Sequence, residues 1–520
     1  MFLVSRKALR SRGSSFGLVR NLATLTTHPA DNTPSHAPQT ALGAPRRPKK
    51  EGDITLIFGG LEGEQVVLPE RFAEMKRQLV RNPQLIEARW RSVLKELEKE
   101  VRVISQKGSE VVPQIPYSDV ANGLSVEQIR EIKERGVVIV RGGVPREEAL
   151  GWKQSIREYI AANRDRVKGA PADNIVFYEL YQSPAQLRAR THPALLSTQA
   201  ALLSLWHNSA PSASPSSAVS LRTPIAYFDR LRIRPPGPSV FALGPHVDSG
   251  GVERWEDPDF RACFAKILEH EDAHGRVDVE AWREHDAYDV APRLSAKQDL
   301  YDAPNQCTVF RPWQGWTALS STGPHEGTLQ VLPMLKPATA YIMLRPFFAL
   351  RPDAPADSLA PDDWVLDLES TAFPGSVPRK AQELNAESHP HLCLEKTLVS
   401  IPRVEPGDQV YWHCDTVHAV EREHVGVNDS SVLYIPAIPL TEQNAWYLRD
   451  QRATFAQGLP PLDFPGGEGE SQFVGRVGIE NITDVTARRM FGLAPFEKPA
   501  DASPGESNLI ETANRILAES

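Results

Sequence analysis

The feature that most restricts the fold is a series of short β-rich segments in the second half of the chain. Each segment is rich in β-branched and aromatic residues, and loops containing Pro, Gly or Asp separate them, a pattern typical of strands. The segments are TPIAYFDRLRIRPPG, CTVFRPWQGWTALSS, GTLQVLPML, ATAYIMLRPFFAL, DQVYWHCDTVHAV and SVLYIPAIPL. The chain also holds 44 Pro against 33 Gly. This balance favours many loops and short strands over long helical bundles.

Helical patterns precede most of these strands. Between about residues 69 and 105, apolar residues recur at spacings of three and four, and the pair Asn82-Pro83 divides the pattern into two helices. A capping box, SVEQ from Ser125, begins a third helix that ends at Gly136. Helices followed by many short strands predict an α+β fold, with a jelly-roll core buttressed by N-terminal helices.

The same patterns divide the chain. Residues 31–52 are rich in Pro, Thr, Ala and Lys without apolar periodicity, which predicts a disordered linker. The other predicted parts are an N-terminal helical region at 53–135, a jelly-roll domain at 136–450 with insertions at about 256–290 and 351–395, and a C-terminal extension with short helices at 451–520. A jelly roll offers an open mouth where ligands from different strands converge.

The first thirty residues are basic, with five Arg or Lys and no acidic residue before Asp31. This composition predicts a mitochondrial presequence over residues 1–30, and a disordered basic tail is the alternative. We therefore expect a mitochondrial protein, in the matrix, with the cytoplasm as the alternative location. Without those five charges the formal net charge changes from −8 to −13. An acidic protein of this kind is not expected to bind nucleic acid through a general basic surface.

Two further classes are disfavoured. No run approaches the roughly 18 apolar residues of a membrane helix, so no membrane span is expected. The four cysteines show no Cys-x-x-Cys spacing, which argues against a structural zinc site or a disulfide framework, and each is interpreted as a small buried hydrophobe. The expected partner is a small-molecule substrate, and the oligomeric state stays open.

A candidate metal site lies in the stretch PHVDSGG. His246 and Asp248 are two residues apart, so on a strand they point to the same face and can meet one ion; a hydrogen-bonded turn is the alternative. The candidate third ligand is His418 in EPGDQVYWHCDTVHAV, 172 residues after His246. Two His and one carboxylate form the facial arrangement of non-haem Fe(II) oxygenases, with three coordination positions free. We expect the ligand atoms to lie within about 3 to 4 Å of one another.

A competing cluster lies in the same strand. His413 and Asp415 form a second His-x-Asp pair, but strand alternation places them on the face opposite to His418, so all three cannot reach one ion without a bulge. Both are interpreted as structural residues around the site, and His325 as a loop residue. The neighbouring Trp255, Trp313, Trp316 and Trp412 line a pocket or belong to the core.

The order of motifs along the chain carries a family resemblance. The stretches GVVIVRGGVP, HVDSGG, WTALSSTGPHEGTLQVLP and PGDQVYWHCDTVHAV resemble the phytanoyl-CoA hydroxylase-like Fe(II)/2-oxoglutarate dioxygenases. The stretches ELYQSPAQLRAR, DRLRIRPPG, GGVERWEDPDF and LRPFF are similar to the YbiU-like branch. The resemblance covers about residues 60–450. It implies a double-stranded β-helix core, iron held by His246, Asp248 and His418, and oxidative decarboxylation of 2-oxoglutarate coupled to substrate hydroxylation.

The chain departs from this family at the co-substrate anchor. Relatives place an Arg about ten to fourteen residues past the distal His, where its planar fork pairs with the far carboxylate of 2-oxoglutarate. The matching stretch here, NDSSVL, has none. Arg345, which follows the apolar run AYIML, is the preferred replacement, and Arg311 is the second. Arg232 and Arg234 are further options, and a salt bridge is the alternative role for each of the four.

These observations predict an Fe(II)- and 2-oxoglutarate-dependent dioxygenase that oxidises an unknown small molecule. His246, Asp248 and His418 would hold the metal, and Arg345 or Arg311 would hold the co-substrate. The missing distal Arg keeps two alternatives open. One is a catalytically inactive jelly-roll binding protein, and the other is a cupin-like metalloenzyme that does not use 2-oxoglutarate.

Overall fold

The computed structural model describes residue 49 and residues 54–58, 66–211, 218–238, 243–269, 275 and 277–519. The predicted presequence at 1–30 and all of the predicted linker except Lys49 lie outside the described residues. Within the described ranges, no helix is both long and apolar enough to cross a membrane.

The helices cluster before the main strands and again at the C-terminal end. They are α1 (Arg71–Leu79), α2 (Pro83–Lys107), α3 (Tyr117–Asn122), α4 (Val126–Arg135), α5 (Arg146–Ala162), α6 (Pro184–Arg190), α7 (Pro193–Leu203), α8 (Glu253–Glu256), α9 (Pro258–Ala262), α10 (Ala265–Leu268), α11 (Leu335–Leu344), α12 (Leu394–Thr397), α13 (Glu442–Gln457), α14 (Val485–Met490) and α15 (Pro504–Ala518).

The predicted starts of the early helices are confirmed. The Asn82 side chain caps α2 by accepting from the backbone N–H of Leu85. Ser125 and Gln128 form both hydrogen bonds of a capping box at α4, which ends at Gly136 in the left-handed conformation. Local chemistry therefore sets the bounds of these helices.

Two sheets dominate the described strands. The larger has eight strands in the spatial order β1 (Gln114–Pro116), β2 (Val137–Arg141), β15 (Gln409–His413), β9 (Trp313–Ala318), β18 (Ser430–Tyr434), β6 (Leu231–Arg234), β4 (Phe177–Tyr178) and β3 (Gly169–Ala170). The smaller has five, in the order β13 (Gln382–Glu383), β8 (His246–Val247), β16 (His418–Val420), β10 (Leu329–Val331) and β14 (Val399–Ser400). The remaining strands form the pairs β5 (Val219–Pro224) with β19 (Pro439–Thr441), β7 (Gly237–Pro238) with β17 (Glu423–His424), and β11 (Phe348–Leu350) with β12 (Trp364–Leu366).

The chain passes repeatedly between the two sheets. In chain order, β6, β9, β15 and β18 enter the larger sheet, while β8, β10, β14 and β16 enter the smaller one. Alternate residues such as Trp316, Val410 and Val432 of the larger sheet share one core with Val247 and Val331 of the smaller. The two sheets therefore pack face to face, and that core extends to α2 and α11.

The other face of the larger sheet is also covered. Val138 and Val140 of β2 pack with Ile132 and with Leu202 and Trp206 near α7, whereas Val137 and Ile139 belong to the core between the sheets. A strand buried on both faces reads as a continuous apolar run, as GVVIVR does.

The prediction of one strand over ATAYIMLRPFFAL is wrong. Most of the first half of this segment belongs to α11, and only Phe348–Leu350 at its end is a strand. Because α11 is buried on nearly every side, its sequence is apolar all round and lacks helical periodicity. β1 lies inside the predicted helical region and pairs in parallel with β2, and α13 crosses the predicted boundary at 450.

The cysteines match their interpretation with one exception. All four are free thiols; Cys263, Cys307 and Cys414 are buried, and Cys393 is half-buried. Lys49, which falls in the predicted linker, is also buried, and it pairs with Asp299 and donates to the carbonyl of Ala303.

Candidate functional site

The structure brings His246, Asp248 and His418 together. β8 and β16 are antiparallel neighbours, and His418 lies directly opposite His246, so both rings project from the same face. Asp248 follows β8 in a turn in which Ser249 has a φ of 70°. Nε2 of His246 is 3.5 Å from Oδ1 of Asp248, and Nε2 of His418 is 4.0 Å from Oδ2. The two imidazole centroids are 4.2 Å apart.

Backbone carbonyls orient both imidazoles. Nδ1 of His246 donates to the carbonyl of Gly244 at 2.6 Å, and Nδ1 of His418 donates to the carbonyl of Thr416 at 3.0 Å. With the proton on Nδ1, the lone pair of Nε2 faces the other two residues. This second hydrogen bond is what metal-binding histidines commonly use to fix tautomer and ring direction.

The charge states also suit a metal. Burial lowers the pKa of His418 to about 3, so this ring is neutral at pH 7. Burial alone would raise the pKa of Asp248, but the two histidines and Arg311 outweigh it and hold that pKa below its ordinary value. A neutral imidazole at His418 and an ionised carboxylate at Asp248 are the protonation states that coordination requires of these two residues.

The second cluster, His413, Cys414 and Asp415, is already occupied by protein contacts. Asp415 binds Arg293 at 2.5 Å and faces Arg254 at 3.6 Å. Nε2 of His413 donates to the carbonyl of Ala287 at 3.0 Å, and Nδ1 accepts from the backbone N–H of Asp415. With two guanidinium groups at the carboxylate and both ring nitrogens used, this cluster has no place for a cation.

Arg254 links the two clusters. Besides facing Asp415, its guanidinium donates to the backbone carbonyl of Asp248 at 2.5 Å. Asp415 and Arg254 thus brace the turn that carries a candidate ligand, which agrees with the structural role predicted for Asp415. The neighbouring Glu253 accepts from the backbone N–H of Gly251 at 2.7 Å.

The three candidate ligands line a cavity between the two sheets that encloses about 1090 Å³ of empty space, part of it open to solvent. We call one group of lining residues the polar end: Asp229, Arg230, Asn305, Gln306, Arg311 and Gln314. We call a second group the apolar end: Ile54, Ile57, Phe58, Phe177, Leu243 and Val420. Trp316 and Trp412 also line the cavity, whereas Trp255 and Trp313 belong to the core.

The predicted arginines lie in different places. Arg311 is at the cavity, with Nη2 3.2 Å from Oδ2 of Asp248 and Nη1 3.5 Å from Oδ2 of Asp229. Arg345 is absent from the lining; it follows α11, donates to the carbonyls of Ser388 and Phe348, and its guanidinium carbon lies 4.7 Å from the Trp364 ring centroid. The preference for Arg345 assumed a strand, and the helix takes the side chain elsewhere.

Sequence reasoning missed several lining residues. The ring of Phe58 packs edge-on against His246, with centroids 4.8 Å apart, and the carbonyl of Ile57 accepts from the backbone N–H of Ala381. The short apolar stretch ITLIF was their only signal. Asp229 and Gln314 lie within strand-like segments, but nothing in those segments marks them as facing a cavity.

Comparisons with known proteins agree on one family. The model of the Gig2-like family matches residues 66–493. Protein YbiU of Escherichia coli (strain K12) is 33% identical over 405 residues, which are 76% of this chain and 88% of YbiU. The crystal structure of GlcNAc Inducible Gene 2, GIG2, from Candida albicans has a TM-score of 0.77 and 32% identity, and covers 87% of this chain and 96% of that chain.

A second solved structure extends the likeness. The structure of the hypothetical protein JW0805 from Escherichia coli has a TM-score of 0.68 and 29% identity, and covers 82% of this chain and 98% of that chain. The resemblance to the YbiU-like branch is confirmed by the 33% identity to YbiU. With a family match over residues 66–493, the chain belongs to the Gig2-like family.

Proposed function

We propose that this protein is an Fe(II)- and 2-oxoglutarate-dependent dioxygenase that oxidises a small molecule. The observation that carries the proposal is the convergence of His246, Asp248 and His418 at one point of the cavity wall. Two histidines and one carboxylate on one side of an iron leave the other side open for a chelating co-substrate and O₂.

The topology supports this assignment. The eight strands are divided equally between the two sheets, and the chain crosses between the sheets at every step except from β10 to β14. This is the arrangement of a jelly roll, and the resemblance implies the double-stranded β-helix form of it. Counted along these eight, His246 lies in the second strand and His418 in the seventh, which are neighbours in the smaller sheet. The fold thus brings together ligands that are far apart in sequence.

The residues present fit the metal that this function needs. Their donor set is two imidazole nitrogens and a carboxylate, with the imidazoles held through Nδ1 and the carboxylate kept ionised. Bound iron and 2-oxoglutarate would together supply the oxidising chemistry. Arg311 donates to the carboxylate of Asp248, and Arg254 holds its backbone carbonyl, so the chain fixes this ligand from both sides.

We assign the far carboxylate of 2-oxoglutarate to Arg232. The window about ten to fourteen residues past His418 contains Ser430 and Val432, and Arg232 lies directly opposite Val432 on the neighbouring strand. Its Nη2 lies 3.2 Å from Oγ of Ser430 and donates to the carbonyl of Gly327 at 3.1 Å. The guanidinium therefore reaches the place of the missing distal Arg from the adjacent strand.

The surroundings of Arg232 support an anionic ligand. The side chain is only 3% exposed and lines the cavity, and its Nε has no hydrogen-bond partner. Among the described residues, no carboxylate forms an ion pair with it. A buried guanidinium without a counter-charge is costly, and a bound dicarboxylate would remove that cost.

Anaerobic titration with Fe(II) and 2-oxoglutarate tests the function. We expect a visible absorption band when both are present, because the chelate transfers charge from iron to the 2-oxo acid, and succinate after oxygen is admitted. An iron-loaded protein without the band would favour the cupin-like alternative. Binding of 2-oxoglutarate without succinate in the presence of candidate substrates would favour the inactive binding protein.

The anchor is tested with Arg232→Met. Truncating one partner of a buried charge pair costs on the order of 2–5 kcal/mol, so we expect the Kd of 2-oxoglutarate to rise by about 30-fold or more while iron binding remains. Arg345→Lys is the control, since Arg345 is absent from the cavity lining. Calorimetry on the Mn(II)-loaded protein measures both. An unchanged Kd in Arg232→Met would return the role to Arg311.

A further inference from the structure

The far carboxylate of 2-oxoglutarate is assigned to Arg232, which lines the cavity but belongs to neither the polar end nor the apolar end. Arg232 lies directly opposite Phe177, a residue of the apolar end, in the pairing of β6 with β4. A co-substrate held by Arg232, and chelating a metal that His246, Asp248 and His418 would hold, would therefore lie beside Phe177 and the apolar end. The polar end therefore remains available for the substrate. This inference rests on the proposed function.

The polar end holds buried hydrogen-bonding atoms without partners. Nε2 of Gln314 and Oε1 of Gln306 are unpaired, although each side chain is only 3% exposed. The Nε2 of Gln306 donates to the carbonyl of Gln298, which fixes which atom of that amide stays unpaired. Nε1 of Trp412, directly opposite Gln314 on β15, is also unpaired. Buried polar atoms are nearly always satisfied, and the residues of these two donors and one acceptor line the cavity, so a polar ligand there would supply the missing partners.

The charges of the cavity indicate the sign of that ligand. Among the described residues that line it, the charged ones are three arginines and two aspartates: Arg230, Arg232, Arg311, Asp229 and Asp248. The protein thus contributes one net positive charge. Fe(II) and the dianion of 2-oxoglutarate cancel each other, so one positive charge remains. Uncompensated charge in a buried site is costly, and a substrate with one negative charge would balance it.

Arg230 is the group placed to receive that charge. Its Nε lies 3.3 Å from Oδ1 of Asp229, its Nη1 donates to Oδ1 of Asn305 at 3.0 Å, and its guanidinium lies 4.4 Å over the ring of Phe464. These contacts fix the plane of the fork. Nη2 has no acceptor among the described residues. A planar, oriented guanidinium is well suited to bind a carboxylate.

We propose that the substrate is a small hydrophilic carboxylic acid with one negative charge. Arg230 binds its carboxylate, and Gln314 and Gln306 bind hydroxyl or amide groups along its chain. Arg311 is engaged by two carboxylates, Asp229 and Asp248, whereas Arg230 pairs with Asp229 alone. A cationic substrate would leave the positive charge of the cavity uncompensated, and a purely apolar one would leave Gln314 and Gln306 unpaired.

The test uses matched acids and amides on protein loaded with Mn(II) and saturating 2-oxoglutarate. The probes are lactate with lactamide, glycerate with glyceramide, and gluconate with gluconamide, and calorimetry and thermal midpoints measure binding. We expect at least one acid to bind and its amide to bind at least about 30-fold more weakly, the scale of losing one partner of a buried charge pair. The assignment would be overturned if the amides bind as well as the acids, or if none of the six probes binds.

Two variants locate the effect. Arg230→Met should lose the preference for acid over amide, and Gln314→Glu should lose acid binding by placing a negative charge beside the carboxylate while keeping the side-chain shape. Arg345→Lys is the control. Acid binding that persists in either variant would overturn the role of the polar end. The binding of 2-oxoglutarate is measured first on the same samples: its absence would defeat the proposed function, whereas its presence without acid selectivity defeats only this inference.

Discussion

Asp248→Asn is expected to abolish stable iron binding. The substitution replaces an anionic candidate ligand with a neutral amide, and it removes the carboxylate that lies 3.2 Å from Nη2 of Arg311. Loss of a residue that hydrogen-bonds to a metal ligand lowers metal affinity by about 10–100-fold. Loss of a ligand together with its charge should lower it further. The measurement is the iron content after anaerobic reconstitution and desalting, together with loss of the absorption band.

Asp229→Asn is the matched control for this substitution. Asp229 contacts the other side of the same arginine, 3.5 Å from Nη1 of Arg311, and lines the same cavity. The Asp229→Asn substitution removes the same charge but leaves His246, Asp248 and His418 unchanged. We expect its iron content to stay close to that of the unchanged protein. Equal losses in the two variants would show that cavity charge, and not coordination by Asp248, governs iron binding.

The three candidate ligands could be predicted because part of their geometry is local. Two residues on a strand that are two apart share a face, so His246 and Asp248 could be paired from sequence alone. The third candidate ligand, His418, lies 172 residues after His246. In the sequence, only the turn before its strand and its position near the strand end indicated it. That His418 lies directly opposite His246 is a matter of register between distant strands, which one sequence does not reveal.

The proposed co-substrate anchor shows where counting along one strand fails. The stretch past His418 contains no Arg at the expected spacing, and the basic residue proposed for this role belongs to β6. Residues on neighbouring strands can occupy one location although they are about two hundred positions apart, as Arg232 and Val432 are. Arg345 was preferred because an apolar run of about ten residues does not distinguish a buried strand from a buried helix.

Residues near the chain start could not be assigned to the site from sequence. Phe58 and Ile57 reach the cavity through contacts with His246 and Ala381, and Lys49 is held by an ion pair with Asp299. A stretch of five apolar or small residues after a linker has no measurable period. The position of this stretch depends on tertiary contacts alone, so the sequence assigns it only to the predicted helical region.

Asp415→Asn is expected to destabilise the fold by about 3–5 kcal/mol, the cost of removing one partner from a buried ion pair. Asp415 is buried and faces Arg293 and Arg254, so the amide leaves two buried guanidinium groups without their carboxylate. Because Arg254 also holds the backbone carbonyl of Asp248, iron affinity should fall as well, by about 10–100-fold. Asp353→Asn is the control: Asp353 pairs with Arg351 at the surface, where a pair contributes about 0–1 kcal/mol.

The pH dependence of stability distinguishes this role from simple packing. Burial would raise the pKa of Asp415, but Arg293, His413 and Arg254 outweigh it and hold the pKa below its ordinary value. A carboxyl with a depressed pKa in the folded state contributes stability above its unfolded pKa of about 3.9, and that contribution is lost progressively as the pH falls from there through the lower folded-state pKa. Urea unfolding from pH 7 to pH 3 should therefore show a large gap between the unchanged protein and Asp415→Asn at neutral pH that narrows in acid. A gap of constant size would mean that the carboxylate charge contributes nothing and that the variant only disturbs packing.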